Sequence, residues 1–167
     1  MLKKKVCLVG SFGVGKTSLV ARFVNGVFSD KYLTTIGVKI DKKSVSLDGV
    51  EVSLMLWDMA GEDRFERLRA SYLRGASGLV YVADGTRGET LDSAVEYAGR
   101  IAEEGGASST VVLVNKCDLA TEWEVGDTAA MAERLGGVPA FATSAKTGEN
   151  VEAAFTRLTE LMLDADG

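Results

Sequence analysis

Four apolar residues, Val6–Val9, run directly into Gly10-Ser-Phe-Gly-Val-Gly-Lys-Thr17, and a helical stripe of Leu19, Val20, Phe23 and Val24 follows. No other stretch restricts the fold as strongly. The loop matches G-x-x-x-x-G-K-[ST], in which glycines let the backbone wrap closely around an anion and the next helix adds its dipole. In that pattern Lys16 neutralises β- and γ-phosphates and the Thr17 hydroxyl binds Mg²⁺. Read without its flanks the segment is a glycine-rich turn; between a strand and a helix it predicts a nucleoside triphosphate. It does not say which base.

The rest of the chain alternates strands and helices without repeats or low-complexity linkers. Leu79–Ala83, Val111–Val114 and Val138–Ala142 are short apolar runs like Val6–Val9, as parallel strands covered on both faces require. Val50, Val52, Leu54 and Leu56 alternate instead with Glu51, Ser53, Met55 and Trp57, which predicts a strand with two unlike faces. Asp48-Gly49 between Leu47 and Val50 is a two-residue hairpin signal, so an antiparallel pair should edge the sheet. Leu91, Ala94, Val95, Ala98, Ile101 and Ala102 form one helical face, stopped by Gly105-Gly106. Val151, Ala154, Phe155, Leu158, Leu161 and Met162 form another, with Asn150 as N-cap. Val125, Ala129, Ala132 and Leu135 suggest a shorter helix between them. The pattern predicts a three-layer α/β domain with its ligand at the C-terminal ends of the parallel strands.

Asn115-Lys116-Cys117-Asp118 follows the strand Val111–Val114. A carboxylate at Asp118 can accept from guanine N1–H and from the 2-amino group, whereas adenine would leave it unpaired. A site built on such bonds rejects the analogue by roughly 10⁴–10⁵. Alone, the four residues read as a polar strand-to-helix turn; downstream of a phosphate loop they select guanine.

Composition narrows the function classes further. A net charge of −5 argues against a nucleic-acid surface, and Lys3–Lys5 reads as the solvated approach to the first strand. With no histidine, chemistry must use carboxylates, amides, lysine, hydroxyls or a metal. Two cysteines make no disulfide framework; Cys7 is expected in the core and Cys117 beside the binding motif, both reduced, in a cytoplasmic protein. No run approaches a membrane span, and neither a signal-peptide core nor a lipidation motif is read, so no anchor of its own is expected.

Taken together these motifs resemble the Ras superfamily of small GTPases, and within it the Rab group, over nearly the whole length. Tyr32-Leu-Thr-Thr-Ile-Gly-Val38 resembles switch I, and Trp57-Asp-Met-Ala-Gly-Glu-Asp-Arg-Phe65 resembles switch II. Ser71-Tyr-Leu-Arg-Gly-Ala76 resembles the segment after it, and Thr143-Ser-Ala-Lys-Thr147 the second guanine-contacting loop. The resemblance implies one GTPase domain over residues 1–167: a P-loop fold with a six-stranded, mostly parallel sheet, one antiparallel strand and about five helices. It implies GTP or GDP as ligand and Mg²⁺ as cofactor. Backbone groups of Gly13, Val14, Gly15, Lys16, Thr17 and Ser18 would cradle the phosphates. Thr17 and Thr35 would ligate the metal directly and Asp58 through a water, while Tyr32 belongs to the nucleotide-contacting part of switch I. The Gly61 amide would sense the γ-phosphate, so Lys16, Thr35, Gly61 and Glu62 form the implied catalytic group. Phe28 would pack on the guanine edge, Asn115 and Lys116 support the pocket, and the Ala145 amide, between Ser144 and Lys146, meet guanine O6. Effectors, exchange factors and activating proteins would dock on the switches, with an apolar patch mapped to Ile40, Trp57 and Tyr72.

Three departures from the family pattern stand out. Glu62 replaces the usual glutamine that orients the attacking water; an ionised carboxylate only accepts and repels the phosphates. A carboxyl with a raised pKa would instead act as a base or share a proton, so the sequence leaves the direction of the rate effect open. Phe12 is bulky where a small residue is usual, and would obstruct an arginine from a partner. The chain ends at Gly167 without the cysteine tail of Rab proteins. The alternatives to a hydrolysing switch are a binding module that scarcely hydrolyses GTP and a regulatory domain of a larger protein. An adenine-nucleotide kinase is disfavoured by Asp118.

Overall fold

The apolar run before the glycine-rich loop is a central strand of a six-stranded sheet ordered β2-β3-β1-β4-β5-β6. The computed structural model describes residues 2–29, 37–59, 71–104 and 109–166. In chain order the strands are β1 (Leu2–Val9), β2 (Val38–Leu47), β3 (Val50–Met59), β4 (Gly78–Asp84), β5 (Ser109–Asn115) and β6 (Ala140–Ala142). The helices are α1 (Lys16–Asn25), α2 (Gly88–Glu103), α3 (Thr128–Arg134) and α4 (Val151–Asp166), with a 3₁₀ turn at Ala120–Glu122 and helical residues at 71–73. Among the described residues β2 alone runs antiparallel, against β3; the other neighbours are parallel. Leu47 pairs with Val50 across a turn in which Asp48 and Gly49 both take positive φ, 51° and 79°. Two such residues match the right-handed twist of the strands.

Each sheet face buries its own helices. Leu19, Val20 and Phe23 of α1 and Val151, Ala154 and Phe155 of α4 cover the face presented by Val6, Leu8, Leu54 and Val80. The rings of Phe23 and Phe155 stack at 4.2 Å. Ala94 and Ile101 of α2 cover the other face, against Cys7, Leu79, Tyr81 and Val112. The loops that follow β1, β4, β5 and β6 therefore leave the C-terminal edge of one parallel array.

Several local expectations need correction. Lys3–Lys5 is not an approach to the sheet but part of β1, paired with Ser53, Leu54 and Met55. Two of the amines find partners: Lys4 pairs with Asp166, and Lys5 donates to Arg74 O at 2.8 Å and lies over the Trp57 ring. The short helix α3 buries Met131, and Ala129 is exposed. Its limits are chemical: the Asp127 carboxylate accepts from Ala130 N–H at the start, and Gly137 N–H donates back to Ala132 O at the end. Val125 and Leu135 thus fall outside it. Asn150 precedes α4 at φ 59° and ties its side-chain amide to Ala142 O, unlike the extended backbone usual for an N-cap. The last strand is shorter than Val138–Ala142 and half-buried, as an edge permits. Gly105-Gly106 lies outside the described residues.

Candidate nucleotide site

β1 ends at Val9, and the chain turns through the glycine-rich loop into α1. The turn is tight enough that a Cβ on Gly10 would lie 2.4 Å from Val82 O. Gly15 caps α1 with φ 102°, where a Cβ would meet Asn115 Nδ2 at 2.3 Å. Only glycine fits either position. As N-cap, Gly15 has no side chain to accept from the first-turn N–H groups, and such an end suits an anion. Lys16 is buried and donates to Gly10 O at 3.0 Å, folding its amine back over the loop. Gly13 takes φ 78°, Val14 is buried, and Ser18 lies half-buried in the first turn of α1.

Thr17 meets Asp58 from the end of β3: the hydroxyl donates to Oδ2 at 2.6 Å, and Asp58 is fully buried. A hydroxyl and one carboxylate are hard oxygen donors. They fit Mg²⁺, which is commonly held by one or two protein oxygens plus substrate phosphates.

The loops expected at the base follow β5 and β6. The Asn115 amide joins three segments: Nδ2 donates to Val14 O at 3.1 Å, and Oδ1 accepts from Ala145 N–H at 3.2 Å and Thr143 Oγ1 at 3.3 Å. The Ala145 N–H, expected at guanine O6, is thus directed to Asn115, through a long bond that a base oxygen would have to compete with. Lys116 adopts φ 74° and its amine pairs with Asp84 at 2.9 Å. Asp118 is exposed, and the buried Ser144 hydroxyl orients it by donating to Oδ1 at 2.8 Å. Lys146 is exposed beside it, and Phe28 is partly exposed after α1. Burial, and then the nearby Glu149 carboxylate, push the Cys117 thiol up to about 11, so this thiol is protonated at neutral pH.

Tyr32, Thr35, Gly61 and Glu62 lie outside the described residues. Of the apolar patch, Ile40 is 47% exposed and pairs with Trp57 across β2 and β3. Trp57 is half-buried, with Lys5 Nζ 3.8 Å from its ring and the Tyr72 ring edge-on at 6.3 Å. Tyr72 is only 3% exposed; its hydroxyl donates to Leu8 O at 2.9 Å and also meets Trp57 O. The three residues are therefore not one open surface: Tyr72 is core beside Trp57.

Two supports escaped the sequence reading. Arg22 of α1 donates through Nε to Ala145 O at 2.8 Å and through Nη2 to Lys146 O, bracing the second base-side loop. Asp84, at the end of β4, carries Lys116 and Arg87 together. An aspartate closing a fully apolar strand at the ligand edge was the available signal for the second; nothing local marks Arg22.

A family model described as the Ras family matches residues 5–164. The chain is similar to Ras-related protein RABD2c of Arabidopsis thaliana, with 39% identity over 158 residues, covering 93% of this chain and 78% of that protein. It is also similar to Ras-related protein Rab-13 of Canis lupus familiaris, with 34% identity over 166 residues, 98% of this chain and 82% of that protein.

Proposed function

This chain belongs to the Ras family and is a Rab-like small GTPase, and from that premise we propose a Mg²⁺-dependent switch that alternates between GTP and GDP and hydrolyses GTP slowly. The observation that carries the reading is the double use of the Asn115 amide. One side chain fastens the phosphate loop at Val14 and the base-side loop at Ala145. Two loops that read opposite ends of a nucleotide are thereby fixed to each other.

In this reading the backbone N–H groups of residues 13–18 hold the phosphates and Lys16 neutralises their charge. Asp118, oriented by Ser144, accepts from guanine N1–H and the 2-amino group, and Phe28 covers the base edge. Thr17, Asp58 and Thr35 would hold Mg²⁺, which when bound offsets the negative charge between the phosphates. Thr35 and Gly61 respond to the γ-phosphate, so nucleotide state becomes the arrangement of the switches. Effectors, exchange factors and activating proteins dock there, with Ile40 and Trp57 as the accessible part of the patch and Tyr72 as its support. The protein works in the cytoplasm. Intrinsic turnover is on the order of 10⁻⁴–10⁻² s⁻¹.

Asp118→Asn tests the base assignment. It should weaken GTP by roughly 5 kcal/mol, given a discrimination of ~10⁴, and improve xanthosine nucleotide, whose 2-oxo group suits an amide donor. Equal GTP affinity in mutant and parent by calorimetry would end the assignment.

A second reading, a GTP-holding module with negligible hydrolysis, is favoured by Glu62 and by the half-exposed Phe12 ring on the phosphate loop. Single-turnover hydrolysis separates the two. Glu62→Gln changes charge with little change of volume; a rate that stays flat from about pH 5 to 9 in both proteins makes Glu62 a bystander.

A further inference from the structure

Arg87 stands immediately before α2, and its guanidinium forks between two segments. Nε donates to Asp84 Oδ2 at 3.1 Å, and Nη2 donates to Phe12 O at 3.0 Å. Asp84 is only 1% exposed and also accepts from Thr86 N–H at 2.9 Å, Thr86 Oγ1 at 2.6 Å and Lys116 Nζ at 2.9 Å. One buried carboxylate thus holds a cation of the base-reading motif and a cation that reaches across to the phosphate loop.

The carbonyl in that grip belongs to the Phe12–Gly13 peptide. Among the described residues no peptide bond is cis. In a trans unit the N–H points opposite to the C=O. With Phe12 O drawn toward Arg87, the Gly13 N–H is turned the other way, and Gly13 at φ 78° continues the turn into Val14. The Phe12 ring is 51% exposed and so is not fixed by burial; the side of its peptide that Arg87 holds is the carbonyl.

We infer that Arg87 is a positioning residue for the phosphate loop: braced by Asp84, its grip on Phe12 O aims the Gly13 N–H at the β-phosphate of a bound guanine nucleotide. This rests on the nucleotide reading above. A lysine cannot replace it. An ammonium is a point charge without the planar fork needed to hold a carboxylate and a carbonyl at once.

The test compares the full chain with Arg87→Ala, Arg87→Lys and Thr86→Ala, each loaded with GDP and Mg²⁺. Release of GDP is timed, the ³¹P resonance of its β-phosphate recorded, and affinity for GDP compared with inosine diphosphate, which lacks the 2-amino group. Both Arg87 variants should release GDP about tenfold faster, the effect of one charge-assisted hydrogen bond, and shift the β-phosphorus resonance. Their preference for GDP over inosine diphosphate should stay at the parent's ratio. Thr86→Ala, which removes a donor to Asp84 without touching Phe12, should keep the parent's release and resonance. Parental behaviour of Arg87→Ala, full rescue by Arg87→Lys, a collapse of the base preference, or equally fast release from Thr86→Ala each overturns the inference while leaving the nucleotide reading intact. A parent chain that binds no GDP overturns both.

Discussion

At the residue scale, a charged carboxyl cut off from water persists only where donors surround it. Burial by itself would push the Asp84 carboxyl up, but the bonds from Lys116, Thr86 and Arg87 outweigh it and hold the group below its ordinary value of 3.8. The folded protein therefore binds this proton less readily than the unfolded chain. Its contribution to stability is complete above about pH 4 and is lost as pH falls through the depressed folded value. Asp84→Asn should cost about 1–3 kcal/mol at neutral pH. It should also flatten the acid limb of the stability curve below about pH 4. Urea titrations at a series of pH values check both; an acid limb identical to the parent's would remove Asp84 from the account. In the core, the Cys7 thiol is pushed up to about 12 by burial and donates to Tyr72 O.

At the scale of elements, the β2–β3 hairpin carries the least covered part of the sheet. Trp57 shares its face with Met55 and Ser53, but it is not a bare indole: Lys5 lies over the ring and Tyr72 meets it edge-on. Tyr72 then ties the strands below, its hydroxyl against the carbonyls of Leu8 in β1 and Trp57 in β3. A half-buried ring with an aromatic and a cationic neighbour sits between a core and a docking residue. Trp57→Ala should cost about 2 kcal/mol, less than the 3–5 of a wholly buried aromatic. It should still abolish GTP-dependent partner capture. The urea midpoint at constant slope reads the first quantity. A loss above ~3 kcal/mol would assign the ring to the core alone and remove it from the docking patch.

At the scale of the whole molecule, the phosphate loop, the Asn115 loop and the 143–147 loop come from β1, β5 and β6. The Asn115 side chain ties the phosphate loop to the others, and Cys117 N–H also donates to Thr143 O at 2.9 Å between the last two. A ligand that binds all of them raises stability by mass action. GDP with Mg²⁺ at about a hundred times its dissociation constant should add about 2.7 kcal/mol. For a domain of this size that is roughly 5–10 °C in melting temperature. ADP at the same concentration should add nothing, and chelating the metal should remove part of the gain. Calorimetric scans with each nucleotide decide it; equal shifts for ADP and GDP would contradict guanine selectivity.

Sequence alone determined the features whose causes lie within a few residues of one another. Gly10–Thr17 marks its loop because only glycine tolerates the positive φ at residues 13 and 15 and the contacts at residues 10 and 15. Asp48-Gly49 marks its hairpin because both residues must be left-handed. The apolar runs Val6–Val9, Leu79–Ala83 and Val111–Val114 mark buried parallel strands because both faces are covered, and Asn115-Lys116-Cys117-Asp118 is proposed as a base pocket because its donors and acceptors match guanine. Tertiary structure alone decided what depends on strand order. Placing β4 beside β1 brings Arg87 to Phe12, and packing α1 beside the loop after β6 brings Arg22 to Ala145. Strand parity put Trp57 on the more polar face, yet that face is partly covered from residues 71–73, which no alternation within β3 encodes. Lys3–Lys5 reads as solvated by composition and is strand by pairing, because a lysine can lay its stem on a sheet and still bring its charge to a partner. Local sequence specifies backbone conformation through sterics and hydrogen-bonding chemistry. Contacts made by long side chains between distant segments exist only once the sheet has brought those segments together.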